Sequence, residues 1–496
     1  MFRQIIILII FMNAFFCASA QKEDRVWIFG DHGGIDFNDT GNVFSFYSPL
    51  QGTIVKYTIA SISDKDGNLL FYAAADRFAF QGVYVYNRTG ALMQNGDSLE
   101  GHPAQTQGLL ILPFPGDSLH YYIFSKMQHN SQSNLYYSLV DMSLDGGLGG
   151  VVQKNIRLTT DSTNDRTTAV KHANGRDWWL IQQRWDQDEY LVYLISPSGI
   201  QGPMRQATGN SKPKDMFYCT SRFSRSGNMM VSVSPSGNID LLDFDRCSGM
   251  FSNYRRIGEN VFSPENSYCG CEFSPDEQVL YVANSYPYPA KFVYQYDLNA
   301  PDIRASKQTI MMYPDTGILQ NVQMASLQLG ADDKLYVSKG NGSGPNSNTV
   351  YTQNIDVILN PNVLGPGCDY STNHMYLNGG RTTYSLPNMV NYALGPIAGS
   401  ICDTLSTGLQ EIKSRISPFS ITPNPVKEWI NIYHKEDFTG AKEYLAQIIN
   451  SQGQVVFEKT MSPNEHSISS SFLSEGVYIL KLKTKKGQFM ERFVKM

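Results

Sequence analysis

Charge is scarce in this chain: only 17% of its 496 residues are Asp, Glu, Lys or Arg, and the formal net charge is −5. A protein that grips DNA or RNA carries a clustered basic face, so this balance argues against a nucleic-acid partner. Beyond the first twenty residues there is no apolar run long enough to cross a bilayer as a helix. Nor is there an extended stretch with apolar residues at i, i+3, i+4 and i+7, which excludes a helical architecture. The motifs G-x-S-x-G and H-E-x-x-H and the phosphate-binding loop are all missing. No cofactor signature stands in their place. Cys269-x-Cys271 lacks the paired spacing of a structural zinc site and has no histidine beside it, so no metal is expected.

What is abundant points to strands and tight turns: 29 Tyr, 26 Phe and 41 Gly. The first twenty residues stand apart. Arg3 supplies a positive start, Ile5 to Phe11 is unbroken apolar chain, and Ala18-Ser19-Ala20 puts small residues before Gln21. That layout predicts a secretory signal over residues 1–20, cut between Ala20 and Gln21. The apolar run is too short for a transmembrane anchor. Phe16, just before Cys17, is too large for a lipoprotein cleavage site. Six cysteines remain after cleavage: Cys219, Cys247, Cys269, Cys271, Cys368 and Cys402. In an oxidising compartment an even count favours disulfides. A local bridge from Cys247 to Cys269 or Cys271 is expected, with Cys368 and Cys402 also candidates.

One pattern recurs along residues 60–340: a short apolar strand, a Gly/Asp/Asn turn, then a strand rich in Tyr, Val and Leu. Gly67, Gly116, Gly175, Gly227, Glu277 and Asp333 mark equivalent turn positions, at intervals of 49, 59, 52, 50 and 56 residues. A further strand follows five of these hairpins, as in GVYVYNRTG (82–90) and EYLVYLISPSG (189–199). Units of this size and period predict an all-β propeller, because a lone three-stranded unit cannot bury both of its faces. Six units are visible. A seventh is expected from residues 381–394 paired with residues 25–30, closing the ring with both chain ends; six or eight blades are the alternatives.

The segments WIFGDHGGIDFN (27–38), SDKDGNLLFY (63–72), MSLDGGLGGVV (142–152), TAVKHANGRDWW (168–179) and CEFSPDEQVLYV (271–282) resemble a family of secreted propeller proteins from Bacteroidota. Most members of that family have no assigned activity, so the resemblance implies fold and compartment and no reaction.

Residues 396–417 lack strand periodicity and read as a linker between a propeller over 21–395 and a module over 418–496. In that module Tyr478, Leu480 and Leu482 alternate with Ile479, Lys481 and Lys483, a strand with one buried face. About 80 residues with five or more strands suggest a small immunoglobulin-like β-sandwich. Pro423-Asn424-Pro425 before an apolar strand, the strand start Gly476-Val477-Tyr478 and the basic end Phe493-Val494-Lys495-Met496 resemble the type A C-terminal sorting domain of type IX secretion (Por secretion) cargo. The resemblance implies the type IX machinery as partner through residues 418–496. It also implies passage through the periplasm and delivery to the medium or outer-membrane surface.

Chemistry is sparse. His172, in Lys171-His172-Ala173-Asn174-Gly175, and His32, in GDHGGIDF, are the candidate catalytic residues, each abutting a turn. Asp64-Lys65-Asp66-Gly67-Asn68 alternates oxygen side chains but has glycine at the fourth position rather than the sixth, so it reads as a hairpin turn and not a calcium loop. Trp178-Trp179 and Tyr286-Pro287-Tyr288 are aromatic candidates for ligand stacking, with core packing as the default. The leading functional expectation is a binding or scaffold propeller that takes a glycan, peptide or surface partner on its loop-lined end. The alternatives are an extracellular polysaccharide hydrolase or lyase, and a structural or adhesive surface component.

Overall fold

Every turn position marked by the repeat adopts positive φ: Gly67 at 96°, Gly116 at 80°, Gly175 and Gly227 at 75°, Glu277 and Asp333 at 62°. Five of these residues close the turn by donating their amide to the carbonyl three residues back: Gly67 to Asp64, Gly175 to His172, Gly227 to Ser224, Glu277 to Ser274 and Asp333 to Gly330. Left-handed backbone is uncommon outside glycine. Glu277 has outside support there, since Ser226 Oγ donates to its Oε2 at 2.9 Å. The Asp64 carboxylate accepts the amides of Asp66 and Asn68 at 2.8 and 2.9 Å, as a self-bonded turn requires.

These turns join the first two strands of six of seven successive antiparallel sheets, in a computed structural model. It describes residues 21–50, 55, 57–75, 82–129, 132–185, 187–209, 220–259, 261, 263, 265–284, 292–313, 322–341, 350–403, 419–434, 443–450, 454–462, 465–484 and 487–496. Two units result, Met1–Thr407 and Gly408–Met496. In the first, the sheets cover residues 26–47, 59–87, 109–157, 168–207, 220–256, 268–312 and 322–376. They are the seven blades of a β-propeller, numbered here in chain order. Blades 1 and 2 have three strands and the other five have four. First strands line the axis, and those of blades 1 and 2, 2 and 3, 4 and 5, 5 and 6, and 6 and 7 touch directly. Strands such as Trp178–Gln183 and Val279–Asn284 are buried at every residue, because a neighbouring blade covers each face.

The ring closes differently from the expected strand exchange. Blade 1 is built from residues 26–47 alone, and the last blade packs Tyr336 edge-on against Trp27 at 5.5 Å and Phe37 at 5.2 Å. Arg381 pairs its backbone with Asp31 and His32 through isolated β-bridges, and its Nη2 stands 2.8 Å from the Asp31 carboxylate. Residues 382–395 join no sheet. They run across the axis as a strap, and the reason is polar: the strap bonds to backbone groups that the first strands leave facing inward. Asn388 stitches three blades, donating from its amide N–H to Ile59 O and from Nδ2 to Leu109 O and Thr167 O, while Gln107 Nε2 donates to its Oδ1. Tyr392 OH reaches Ile111 O at 2.8 Å.

The strap continues into the segment read as linker. Ile397 N–H donates to Ala173 O, and Cys402 forms a disulfide with Cys247, 155 residues earlier. The expected local bridge is therefore corrected. Cys269, Cys271 and Cys368 are buried and are not its partners, and Cys247 sits on the turn after Ile239–Asp245, where the strap emerges. The remainder of that linker over 404–417, the signal segment with Ala20, Cys219 and Tyr286-Pro287-Tyr288 lie outside the described residues.

The second unit is a β-sandwich. Strands Phe419–Thr422, Trp429–His434 and Ser467–Ser469 form one sheet, and Val455–Met461, Tyr444–Ile449, Gly476–Thr484 and Gly487–Lys495 the other. One core joins them, with Ile430, Ile432 and Ile468 facing Ala446, Ile448, Leu480, Leu482 and Phe493.

Candidate functional site

The strap does not fill the mouth of the propeller. Tyr392 packs edge-on against Trp178 at 5.8 Å, which draws the strap toward blades 3 and 4. On the other side a cavity of about 390 Å³ remains, lined by Asp24, Arg25, Arg222, Arg225 and Glu272 with Phe223, Leu329 and the strap residues Met389 to Asn391. Its volume lies in the range of small-molecule sites.

Most of its charged groups are already satisfied. Arg222 Nη1 donates to Met389 O at 2.9 Å, Nη2 to Gln328 Oε1 at 3.1 Å, and Nε lies 3.6 Å from Glu272. Glu272 accepts the amides of Phe273 at 3.1 Å and Leu329 at 3.3 Å. Burial raises the Glu272 carboxyl, against the pull of Arg222 and these amides. This pair is a clamp that ties the strap to blades 5, 6 and 7. Arg225 pairs with Asp333, and Asn391 Nδ2 donates to the carbonyl of Arg225 at 2.8 Å.

Asp24 is held far more loosely. Arg25 Nε stands 3.9 Å from its Oδ1, and the side chain keeps 31% of its surface accessible. Burial in the mouth raises this carboxyl too, opposed first by Arg25, then by its own amide and Arg225. A raised, loosely held carboxyl facing a cavity offers an acceptor or a proton to a guest.

Beside the mouth the strap is pinned by a second guanidinium. Arg246 donates to the carbonyls of Lys171 at 2.8 Å, Ser226 at 3.2 Å and Gly395 at 2.7 Å. Lys171 is buried with its Nζ 4.2 Å over the Trp178 ring, and burial pushes it down to about 8 while Glu23 and Asp177 pull it up. The unfolded chain holds that lysine proton up to about 10.5 and the folded chain only to about 8, so the unfolded state binds more protons in between. The cost of burying the ammonium is full below 8 and fades as pH rises. Stability should therefore increase by about 2 kcal/mol from pH 8 to 9.5, and Lys171→Met should flatten this rise. Denaturant unfolding at those two pH values checks it; a parallel rise in the variant would refute the assignment.

Neither candidate histidine lines the cavity. Asn174 N–H donates to His172 Nδ1 at 3.0 Å, which leaves Nε2 to donate to Cys247 O at 3.1 Å. Burial pushes this imidazole down, and it serves as a neutral buttress under the disulfide turn. His32 lies at the ring closure with φ 56°, stacked on Tyr47 at 4.4 Å, its Nδ1 3.1 Å from Ser48 O. Trp178 and Trp179 are both buried between blades. Sequence reasoning missed Asp24, Arg222, Glu272 and Arg246; Glu272 lies in CEFSPDEQVLYV, a segment that signals the fold and no chemistry. Among the described residues no group of three or more His, Cys, Asp or Glu is placed to hold a metal.

In the second unit the structure brings the separated sorting residues together. Asn424 Oδ1 accepts the amide of Val494 at 3.0 Å, Val426 N–H donates to Val494 O at 2.7 Å, and Met496 N–H donates to Val426 O at 2.9 Å. On its other edge the same strand pairs Lys495 with Gly476, Val494 with Val477 and Phe493 with Tyr478. Pro423 and Pro425 flank Asn424 and set the approach of this clasp. Strand Gly487–Lys495 thus ends gripped from both sides.

No curated protein matches the sequence of the chain. Among solved structures it is similar to a putative 6-phosphogluconolactonase from Bacteroides uniformis at 12% identity and TM-score 0.43, covering 74% of this chain and 98% of that one. A putative 6-phosphogluconolactonase from Bacteroides fragilis matches at 11% identity and TM-score 0.40, over 68% and 91%. A luciferin-regenerating enzyme matches at 12% and 0.35, over 68% and 96%. Likeness at this level carries no activity across. Among the described residues no helix is long and apolar enough to span a membrane. Residues 420–496 match the secretion system C-terminal sorting domain, and with that domain the chain is type IX cargo, delivered to the cell surface or the extracellular space.

Proposed function

We propose that the chain is a surface-delivered binding propeller that takes a small polar ligand, a short glycan or peptide, in the half-open mouth, with Asp24 as the anchoring acceptor. It fits the secreted Bacteroidota propellers that its repeats resemble. In this reading residues 1–20 are a signal peptide cleaved before Gln21, residues 21–395 are the binding unit, and residues 418–496 serve export. The observation that carries it is the contrast within one cavity: Arg222 and Glu272 form an ion pair, Arg222 donating to the strap and to Gln328 and Glu272 accepting two blade amides, and Asp24 is left for a guest.

A hydrolase is the second reading, favoured by the raised Asp24 carboxyl, which suits a general acid. Glycoside hydrolysis generally needs a second free carboxylate, and Glu272 is committed to Arg222 and two amides, so binding stands first. The test is a ligand screen of the full secreted chain against oligosaccharides and peptides by calorimetry. Asp24→Leu should weaken the ligand found at least tenfold, whereas Asp24→Asn, which keeps an acceptor, should retain most of the affinity. Turnover that Asp24→Asn abolishes without loss of binding would replace this reading with the hydrolase. Binding unaffected by Asp24→Leu would remove the mouth as the site.

A further inference from the structure

The sandwich presents a face that the clasp does not use. Along Trp429–His434 the residues alternate: Ile430 and Ile432 are buried in the core, while Trp429 and Tyr433 point outward, 52% and 57% exposed. Their cross-strand neighbours are small and polar. Trp429 pairs with Ser469, Asn431 with Ser467 and Thr422, and Tyr433 with Ser420. Every outward position in register on this sheet is therefore Trp, Tyr, Asn, Ser or Thr, with no charged or aliphatic side chain. The companion sheet is unlike it, since Val477, Ile479, Lys481 and Lys483 alternate with its buried Leu480 and Leu482.

Ligand chemistry follows from that contrast. A face for anions would carry Arg or Lys. A face for a protein would gather its aromatic anchors into one contiguous apolar centre. Here the two rings are four residues apart on one strand, roughly 13 Å, with Asn431 between them. Isolated ring faces separated by amide and hydroxyl groups suit a chain that repeats an apolar C–H face with a hydroxyl rim, and a neutral pyranose polymer has that surface. The negative face of each aromatic ring attracts those C–H groups.

We propose that this face binds a neutral polysaccharide, with sugar rings stacked on Trp429 and Tyr433 and hydroxyls bonded by Asn431 and the flanking Ser420, Thr422, Ser467 and Ser469. The site is independent of the propeller mouth and adds a glycan contact to a domain matched only as a sorting signal.

The full chain, purified with residues 418–496 in place, is run through native gels containing laminarin, xylan or dextran. At least one polymer should retard it. Trp429→Ala/Tyr433→Ala should raise the apparent Kd at least tenfold, and Trp429→Tyr should keep most of the binding. Trp429→Ala/Tyr433→Ala should leave affinity for the mouth's own ligand unchanged, which separates failure of this site from failure of the mouth. The altered side chains leave the core untouched, and an unchanged circular dichroism spectrum verifies the fold. Absence of retardation in all three gels, or equal retardation of the double variant, overturns the proposal. So does a parent chain whose self-association is lost in the double variant, because the face would then be an interface between copies.

Discussion

Replacing Cys247 and Cys402 together by serine should cost the propeller about 5 kcal/mol, the chain-entropy value for a closed loop of this length. The bridge joins residues 155 apart, so cutting it frees a large loop in the unfolded chain. Unfolding entropy is ~2 cal/mol/K per residue, which for a unit this size turns the loss into a Tm drop of about 6 °C. The folded side of the balance moves less. Arg246 still holds Gly395, and Asn388 and Tyr392 still anchor the strap at the axis. The end of the strap alone should loosen, making the chain around Ile397 newly sensitive to protease. The measurement is thermal and denaturant unfolding of parent and double-serine chains, with limited proteolysis beside it. Equal melting within a degree would show that the bridge does not persist in the secreted protein. It should persist, because export places it in an oxidising compartment where such bonds are kept.

That bridge also marks where the sequence stopped being legible. The hairpins were readable because each part of the signal is local: an alternating strand, a turn residue able to take positive φ, then a second strand. Gly67, Gly116, Gly175, Gly227, Glu277 and Asp333 all adopt the conformation that their positions implied. The strap gave no such signal. Residues such as Asn388 and Tyr392 serve carbonyls on Leu109, Thr167 and Ile111, hundreds of positions away, and nothing periodic in TTYSLPNMVNYAL announces that. Read locally, the segment passes for one more strand. The local bridge expected for Cys247 fails for the same reason, since its partner Cys402 is set by where the strap leaves the axis and not by spacing.

The mouth was opaque for a related cause. Arg222 and Glu272 stand on first strands of different blades, and Asp24 precedes the first strand of blade 1. Only ring closure brings them together. The two histidines stood out in sequence because histidine is rare and chemically versatile. Their bonds to Cys247 and Ser48 show them holding turns.

The largest effect belongs to the last strand of the sandwich. Truncating the chain after Arg492 should leave the protein in the periplasm, with export falling to background. Phe493 is fully buried and stacks on Tyr478 at 5.7 Å, so its loss removes an aromatic from a core of fourteen buried apolar residues among those described. Loss of a buried phenylalanine alone costs about 3–5 kcal/mol. The same cut releases Asn424 and Val426, whose partners are Val494 and Met496, and exposes the edge at Gly476 and Val477. Asn424→Ala should act in the same direction more weakly, since it removes one hydrogen bond of about 1 kcal/mol and leaves the strand in place. Fractionating cells into periplasm, surface and medium reads both variants. A truncated chain that still reaches the medium at parental levels would mean that export reads some other part of the protein. Loss of export in the truncation with near-normal export in Asn424→Ala would mean that the machinery recognises the folded edge which these separated residues build, rather than any one of them.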